Sequence, residues 1–259
     1  MVLTIVVEAF RDLAVELDAA LENGQLAAVF QPQIDLATGR IVAAEGLCRW
    51  QHPVFGAVPP DRFIRVAETS GAIHEIGRFM IGQCLEAADR WGEAASRIEI
   101  SVNVSPLQLT DEFTEEVRKR WDARGLPKDS LTLEITETLP VLDLDASVPR
   151  LAALRAAGIG ISLDDYGTGH ASLEQLEILP ITEVKLDRSL MQDVVTGDKR
   201  EVARFVALAH ERALRVVAEG IESDDQLSFA RCVGCDRAQG YLLGTPMGAE
   251  RIEELLLAA

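Results

Sequence analysis

The sequence lacks any apolar run long enough to cross a bilayer. Its opening stretch, Val2–Val7, is apolar, but a spanning helix needs ~20 such residues and no basic segment precedes this one. Membrane insertion is therefore not expected, and the chain reads as soluble and cytoplasmic. Cysteine is scarce. Cys48, Cys84, Cys232 and Cys235 are too few and too scattered for the disulfide framework of a small secreted fold. Cys232-Val233-Gly234-Cys235 has C-x-x-C spacing, yet a closed zinc site needs four ligands, and no second pair or spaced histidines accompany it. Core packing and a turn are the simpler reading. The histidines, His52, His74, His170 and His210, are dispersed, and His74-Glu75-Ile76-Gly77-Arg78 lacks the second histidine of a zinc protease motif. All four read as surface or loop residues. Cations are outnumbered, with 25 Lys and Arg against 42 Asp and Glu and a net charge of -17. Such a balance repels a phosphate backbone, so polymeric nucleic acid is excluded as an expected partner.

Low-complexity tracts and Ser/Pro/Gly linkers are missing too. What remains is a chain of 259 residues with 48% hydrophobic content, which suits one barrel domain of about 250 residues. Strand-length apolar runs alternate with stretches of helical period, the pattern of an α/β protein. The expected strands are Ala28–Ile34, Ile41–Leu47, Ile98–Val104, Leu131–Ile135, Gly160–Leu163, Glu183–Leu186, Val216–Ala218 and Arg237–Gln239. The first connection, Asp35–Arg40, is too short for a parallel crossover, which takes a dozen or more residues. The prediction is a TIM-like (β/α)8 barrel over residues 22–259 with its first strand antiparallel to the rest. Residues 1–21 form a lead-in helix or linker.

In such a barrel the reactive groups stand at the carboxyl ends of the strands. Here those ends are polar. Gln31, Glu45, Asn103, Glu134, the pair Asp164-Asp165, Lys185, Glu219 and Gln239 follow one another from strand to strand. Several sit in apolar runs such as Leu131-Thr132-Leu133-Glu134-Ile135, where an unpaired charge is costly. A single acidic residue at a strand end is usually solvated or caps the next helix, but packing does not require a whole ring of them. Carboxylates with one asparagine amide are hard oxygen donors, suited to Mg²⁺ or Mn²⁺. The adjacent aspartates fit a site for two ions, in which one carboxylate bridges and its neighbour holds the second ion.

These residues resemble the EAL-domain phosphodiesterases of bacterial cyclic di-GMP signalling. The matching stretches include Glu45-Gly46-Leu47-Cys48-Arg49-Trp50, Ser101-Val102-Asn103-Val104-Ser105, Leu133-Glu134-Ile135-Thr136-Glu137, Leu163-Asp164-Asp165-Tyr166-Gly167-Thr168-Gly169, Val184-Lys185-Leu186-Asp187 and Val217-Ala218-Glu219-Gly220-Ile221-Glu222. The resemblance implies that Glu45, Asn103, Glu134 and Asp164 hold one metal ion and that Asp164, Asp165 and Glu219 serve a second. It implies that Lys185 orients the attacking water, so that Glu45, Asp165, Lys185 and Glu219 form the catalytic set. Gln31, Arg49 and Gln239 would contact the dinucleotide, Glu137 would anchor the Asp165–Ala171 loop, and Glu222 would support the metal-binding shell. Cyclic di-GMP would be opened to linear 5′-pGpG, with a homodimer and an upstream sensor or regulatory domain as expected partners. Related chains that have lost ligands act as cyclic di-GMP receptors, and here no ligand is missing. The departures are Gly46 for the alanine of the Glu-Ala-Leu triplet, Tyr166 and His170 in the loop, and Leu243 and Thr245 where Phe and Arg are common.

Overall fold

The computed structural model describes residues 13–17, 19–94, 98–136, 144–167, 173–192 and 199–258. Strands β1 (Leu26–Asp35) and β2 (Ile41–His52) form an antiparallel hairpin with Gln31 opposite Glu45. The turn is made by Asp35, whose Oδ1 accepts from the Thr38 amide and hydroxyl, each at 2.7 Å, and by Gly39 at a φ of 72°. Beyond the short hairpin strand β3 (Gly56–Val58), strands β4 (Glu99–Asn103), β5 (Leu131–Thr136), β6 (Gly160–Tyr166), β7 (Glu183–Leu186), β8 (Arg215–Ala218) and β9 (Arg237–Ala238) follow. They pair in parallel from β2 through β9, and β1 closes the ring antiparallel to both of its neighbours. The result is the expected closed barrel of eight strands with one reversed.

Around it lie α1 (Pro60–Ser70), α2 (Ile73–Ala94), α3 (Asp111–Asp122), α4 (Leu144–Ala157), α5 (Leu173–Ile178), α6 (Arg188–Gln192), α7 (Lys199–Glu211), α8 (Asp224–Val233) and α9 (Ala249–Ala258). Helix α3 shows why these segments are helical. Thr110 caps it by accepting from the Phe113 amide, acidic residues begin it, Lys119 and Arg120 end it, and Phe113, Val117 and Trp121 face inward at four-residue spacing. Helix α8 opens with a capping box between Ser223 and Gln226 and ends at Gly234 in the left-handed region. The C-x-x-C segment is thus a helix end, with free Cys232 exposed and free Cys235 buried.

The structure differs from the expectation in three places. Strand β2 runs on to His52 and turns back into β3 (Gly56–Val58). Helices α5 and α6 are too short to show a period. His52 is buried rather than on the surface or in a loop. Its Nδ1 accepts from the amides of Val54 and Phe55, each at 3.0 Å, and its Nε2 meets Glu16 of the N-terminal helical segment. That segment, residues 13–17 and 19–22, buries Leu13, Leu17 and Ala20 in the barrel's hydrophobic core.

The amino ends of the strands are closed by charge. Glu99, Glu183, Arg215 and Arg237 are the first residues of β4, β7, β8 and β9. Arg237 grips Glu99 through two nitrogens, at 2.6 and 2.9 Å, and Arg215 binds Glu183 at 2.6 Å and Glu99 at 2.7 Å. The four charges cancel, and bidentate geometry offsets their desolvation. Glu183→Gln would leave a buried positive charge uncompensated. It is expected to lower stability by about 3–5 kcal/mol in urea denaturation, and an unchanged midpoint would contradict this account.

Candidate active site

At the opposite end, strand alternation turns one polar side chain after another into the barrel mouth. Lys185 on β7 stands in the middle and is 1% exposed. Its Nζ lies 2.7 Å from Glu219 Oε1, 2.8 Å from Glu134 Oε2, 3.3 Å from Asp164 Oδ1 and 3.4 Å from Glu45 Oε2. Asn103, at the end of β4, donates to Glu45 Oε1 at 2.6 Å, and Gln239 donates to Glu45 Oε2 at 2.6 Å. The amides continue outward. Gln239 also donates to Gln31 at 3.2 Å, Gln33 donates to Gln239 at 3.0 Å, and Gln31 donates to the Gly244 carbonyl at 3.0 Å. Gln33 was not singled out from sequence, although its place two residues from Gln31 on one strand puts both on the same face.

Consecutive residues of a strand normally point to opposite sides, yet Asp164 and Asp165 line the same cavity. The backbone explains it. Asp165 has a φ of 59°, in the left-handed region, and the β6–β7 register shifts between Leu163 and Tyr166. Aspartate tolerates this conformation better than most residues; holding it costs about 1–3 kcal/mol. The neighbours hold it in place. Tyr166 stacks on Phe205 of α7 at 3.9 Å, and Gly167, at a φ of 114°, lies so close to Leu190 that an added Cβ would fall 2.5 Å from it. Ligand atoms of Asp164, Asp165 and Glu219 all come within 4.8 Å of one another.

Four carboxylates share one ammonium, and their ionisation shows it. Burial, and after it the charge of Glu45, holds Glu134 well above the usual carboxylate range. Burial also raises Asp164, and it lifts Glu219 to about 8, against the pull of Lys185. For Glu45, burial is outweighed by Lys185 and by the amides of Gln239 and Asn103, so its carboxyl stays below the ordinary value. Burial disfavours the Lys185 charge, but Asp164, Glu134, Glu219 and Glu45 together hold that charge far more strongly than in water. Glu134 Oε1 is buried with no hydrogen-bond partner among the described residues, and Asp164 Oδ1 has only the Lys185 ammonium beside it, at 3.3 Å. Hard oxygen atoms so sparsely partnered fit a divalent cation.

The cavity over this ring has a volume of about 340 Å³ and is also lined by Arg188, Glu222 and Tyr241. A second, mainly apolar hollow of about 220 Å³ holds Arg49, Leu47 and Met80, with Asn103 in its wall. Arg49 therefore lies beside the acidic cavity rather than in it, donating to the Cys48 carbonyl at 2.9 Å. Glu137 lies outside the described residues, as do His170 and the 168–171 part of the loop. Gly46 has a local cause. An alanine Cβ there would lie 2.4 Å from Cys84 Sγ, so the thiol of α2 occupies the space of the missing methyl.

A closed barrel with a carboxylate-ringed mouth and a buried lysine defines a class of barrels with a candidate metal site, and comparison narrows it. The EAL domain family model matches residues 14–246. The bifunctional diguanylate cyclase/cyclic di-GMP phosphodiesterase MucR of Pseudomonas aeruginosa is 36% identical over 92% of this chain, and the cyclic di-GMP phosphodiesterase RocR of the same species is 34% identical over 88%. Those alignments take in 35% and 59% of the two relatives, so the chain spans only part of their length. Among solved structures, the PaMucR phosphodiesterase in complex with c-di-GMP superposes with a TM-score of 0.87 at 36% identity, covering 93% of this chain and 99% of that one. The EAL enzyme Bd1971, in its cAMP- and cyclic-di-GMP-bound form, gives 0.91 at 28% identity, covering 97% and 70%. The chain belongs to the EAL domain family.

Two outcomes follow from these contacts. Gly46→Ala is expected to destabilise the protein by about 1–3 kcal/mol through overpacking, and Gly46→Ala with Cys84→Ala to recover most of that; additive losses in thermal melts would refute the contact. Glu134, Asp164 and Glu219 have folded-state pKa values above their unfolded ones, so the stability they lend is full at low pH and is lost as pH rises through the folded values, for Glu219 between 4.5 and about 8. Lys185 offsets that loss. Lys185→Met should therefore destabilise the metal-free protein by ~3–5 kcal/mol at pH 8.5 and by clearly less at pH 5.5. Equal losses in EDTA at the two pH values would contradict this.

Proposed function

We propose that this chain is a cyclic di-GMP phosphodiesterase that uses two divalent ions, Mg²⁺ or Mn²⁺, and releases linear 5′-pGpG. The observation that carries the reading is the convergence of Glu45, Asn103, Glu134, Asp164, Asp165 and Glu219 on one mouth around Lys185, with Glu134 Oε1 buried and lacking a hydrogen-bond partner among the described residues. The names of its relatives supply the substrate.

Glu45, Asn103, Glu134 and Asp164 would hold one ion, and Asp164, Asp165 and Glu219 the other. When bound, the pair supplies Lewis acidity, easing ionisation of the attacking water and neutralising charge on the departing oxygen. The rest falls to the protein. Lys185, anchored by carboxylates, orients the water opposite the P–O3′ bond; that bond breaks, leaving a 5′-phosphate and a 3′-hydroxyl. Gln31 and Gln239 present amides to a guanine edge. Arg49 offers a planar fork to phosphate beside the apolar hollow, which is shaped for a base. Glu222, in the cavity wall, would support the metal ligands, and Glu137 would anchor the loop after Asp165, a role that the family resemblance implies. A sensor or regulatory partner supplies the input signal.

Incubating the protein with cyclic di-GMP and Mg²⁺ or Mn²⁺ and separating the products by ion exchange should give linear pGpG, and EDTA should stop it. Glu45→Ala is expected to lower kcat by at least ~10²-fold through loss of a ligand, and Lys185→Ala to lower kcat much more than it raises KM. Tight binding without any product would make the protein a receptor instead.

A further inference from the structure

The acidic cavity presents Glu45, Asp164, Asp165, Asp187, Glu219 and Glu222 to a ligand that, on the reading above, carries two phosphodiesters. Only the reacting phosphate can sit at the metal pair. The other, entering among carboxylates, needs a cation of its own. Among the described residues, two cationic side chains line this cavity, Lys185 and Arg188. Lys185 is buried and committed to four carboxylates. Arg188 is exposed and forms no ion pair with the described residues, although Asp165, Asp187 and Glu222 line the same cavity. Other arginines with carboxylates at hand, such as Arg78, Arg118 and Arg237, take them as partners.

Arg188 is nevertheless held firmly at its base. It opens α6 directly after Asp187, whose amide donates to the Tyr166 carbonyl at 3.0 Å and whose Oδ1 accepts from the Ser189 amide at 2.9 Å. Its backbone packs against the residue after Glu219. A Cβ on Gly220, which has a φ of 63°, would lie 2.3 Å from Arg188 Cβ and 3.2 Å from its Cα. Only glycine allows both the left-handed turn and this approach. In the ring of eight strands, β7 lies four places from β2, so Arg188 stands across the mouth from Arg49.

We propose that Arg188 binds the phosphodiester that is not cut, gripping its two oxygens with the guanidinium fork, and thereby selects ligands with two phosphates. Arg188 is a substrate-binding residue and takes no part in bond breaking. This rests on the function proposed above. The test compares wild type, Arg188→Ala and Arg188→Lys on cyclic di-GMP and on bis(p-nitrophenyl) phosphate, a diester with a single phosphate, both with Mn²⁺. Arg188→Ala should raise KM for cyclic di-GMP roughly 10- to 100-fold with a much smaller effect on kcat. The ratio of kcat/KM for the dinucleotide to that for the small diester should fall by a similar factor. Arg188→Lys, keeping the charge but not the fork, should lie between. Parallel loss on both substrates would make Arg188 a support of the metal site and overturn the assignment. Calorimetric binding of cyclic di-GMP in Ca²⁺ separates the two failures. A wild type that binds in Ca²⁺ but gives no product with Mg²⁺ or Mn²⁺ defeats the enzymatic reading alone, whereas undiminished binding by Arg188→Ala defeats the role of Arg188.

Discussion

The structure turns on one ammonium group enclosed by four carboxylates. Lys185 is almost fully buried, and only the Glu45, Glu134, Asp164 and Glu219 side chains make its charge tolerable there. The reverse holds as well. Without Lys185, carboxylates from β2, β5 and β6 and the residue after β8 would repel one another in a poorly solvated space. Even with it, burial and then the neighbouring negative charges push Glu134 and Glu219 upward, and Glu134 Oε1 has no hydrogen-bond partner among the described residues. An arrangement left short of positive charge at hard oxygen atoms is suited to a cation.

The barrel treats its two ends in opposite ways. At the amino ends of the strands, Glu99 and Glu183 face Arg215 and Arg237, and the charges cancel in a closed network. At the mouth they do not cancel. The same architecture thus contains one ionic cluster that is satisfied within the chain and one that is not, and an open cavity lies over the second. Part of the local strain is at that second cluster too, the other left-handed non-glycine positions among the described residues being Asp129 and Ala213. Asp165 is held in the left-handed region by the Tyr166–Phe205 stack and the Gly167–Leu190 contact, and its carboxylate stands beside that of Asp164 as a consequence.

Much of this was legible along the chain. Alternating strand and helix periods gave the barrel, and the short Asp35–Arg40 connection gave the reversed first strand, because a hairpin needs few residues and a parallel crossover needs many. The polar residues closing strands named the mouth, since apolar runs such as Ile100-Ser101-Val102-Asn103-Val104 leave their polar members nowhere else to go. Features built from side chains distant in sequence were not legible. His52 looked like a loop residue, because its burial depends on Glu16 and on the unforeseen strand β3. Gly46 looked like a lost methyl until Cys84, thirty-eight residues on, was seen to fill its place. Arg188 was not singled out from sequence; its packing against Gly220 at the cavity wall is a tertiary contact.

By itself, then, the sequence determined the kinds of element, their order, and the set of oxygen donors carried at strand ends, because hydrophobic period and turn length are local properties of a chain. Tertiary structure alone decided that Lys185 sits among four carboxylates, that Asp165 faces the same way as Asp164, and that Arg49 and Arg188 stand on opposite sides of the mouth. Distances between side chains depend on how the barrel closes, and closure is a property of the whole ring of strands and of no segment within it.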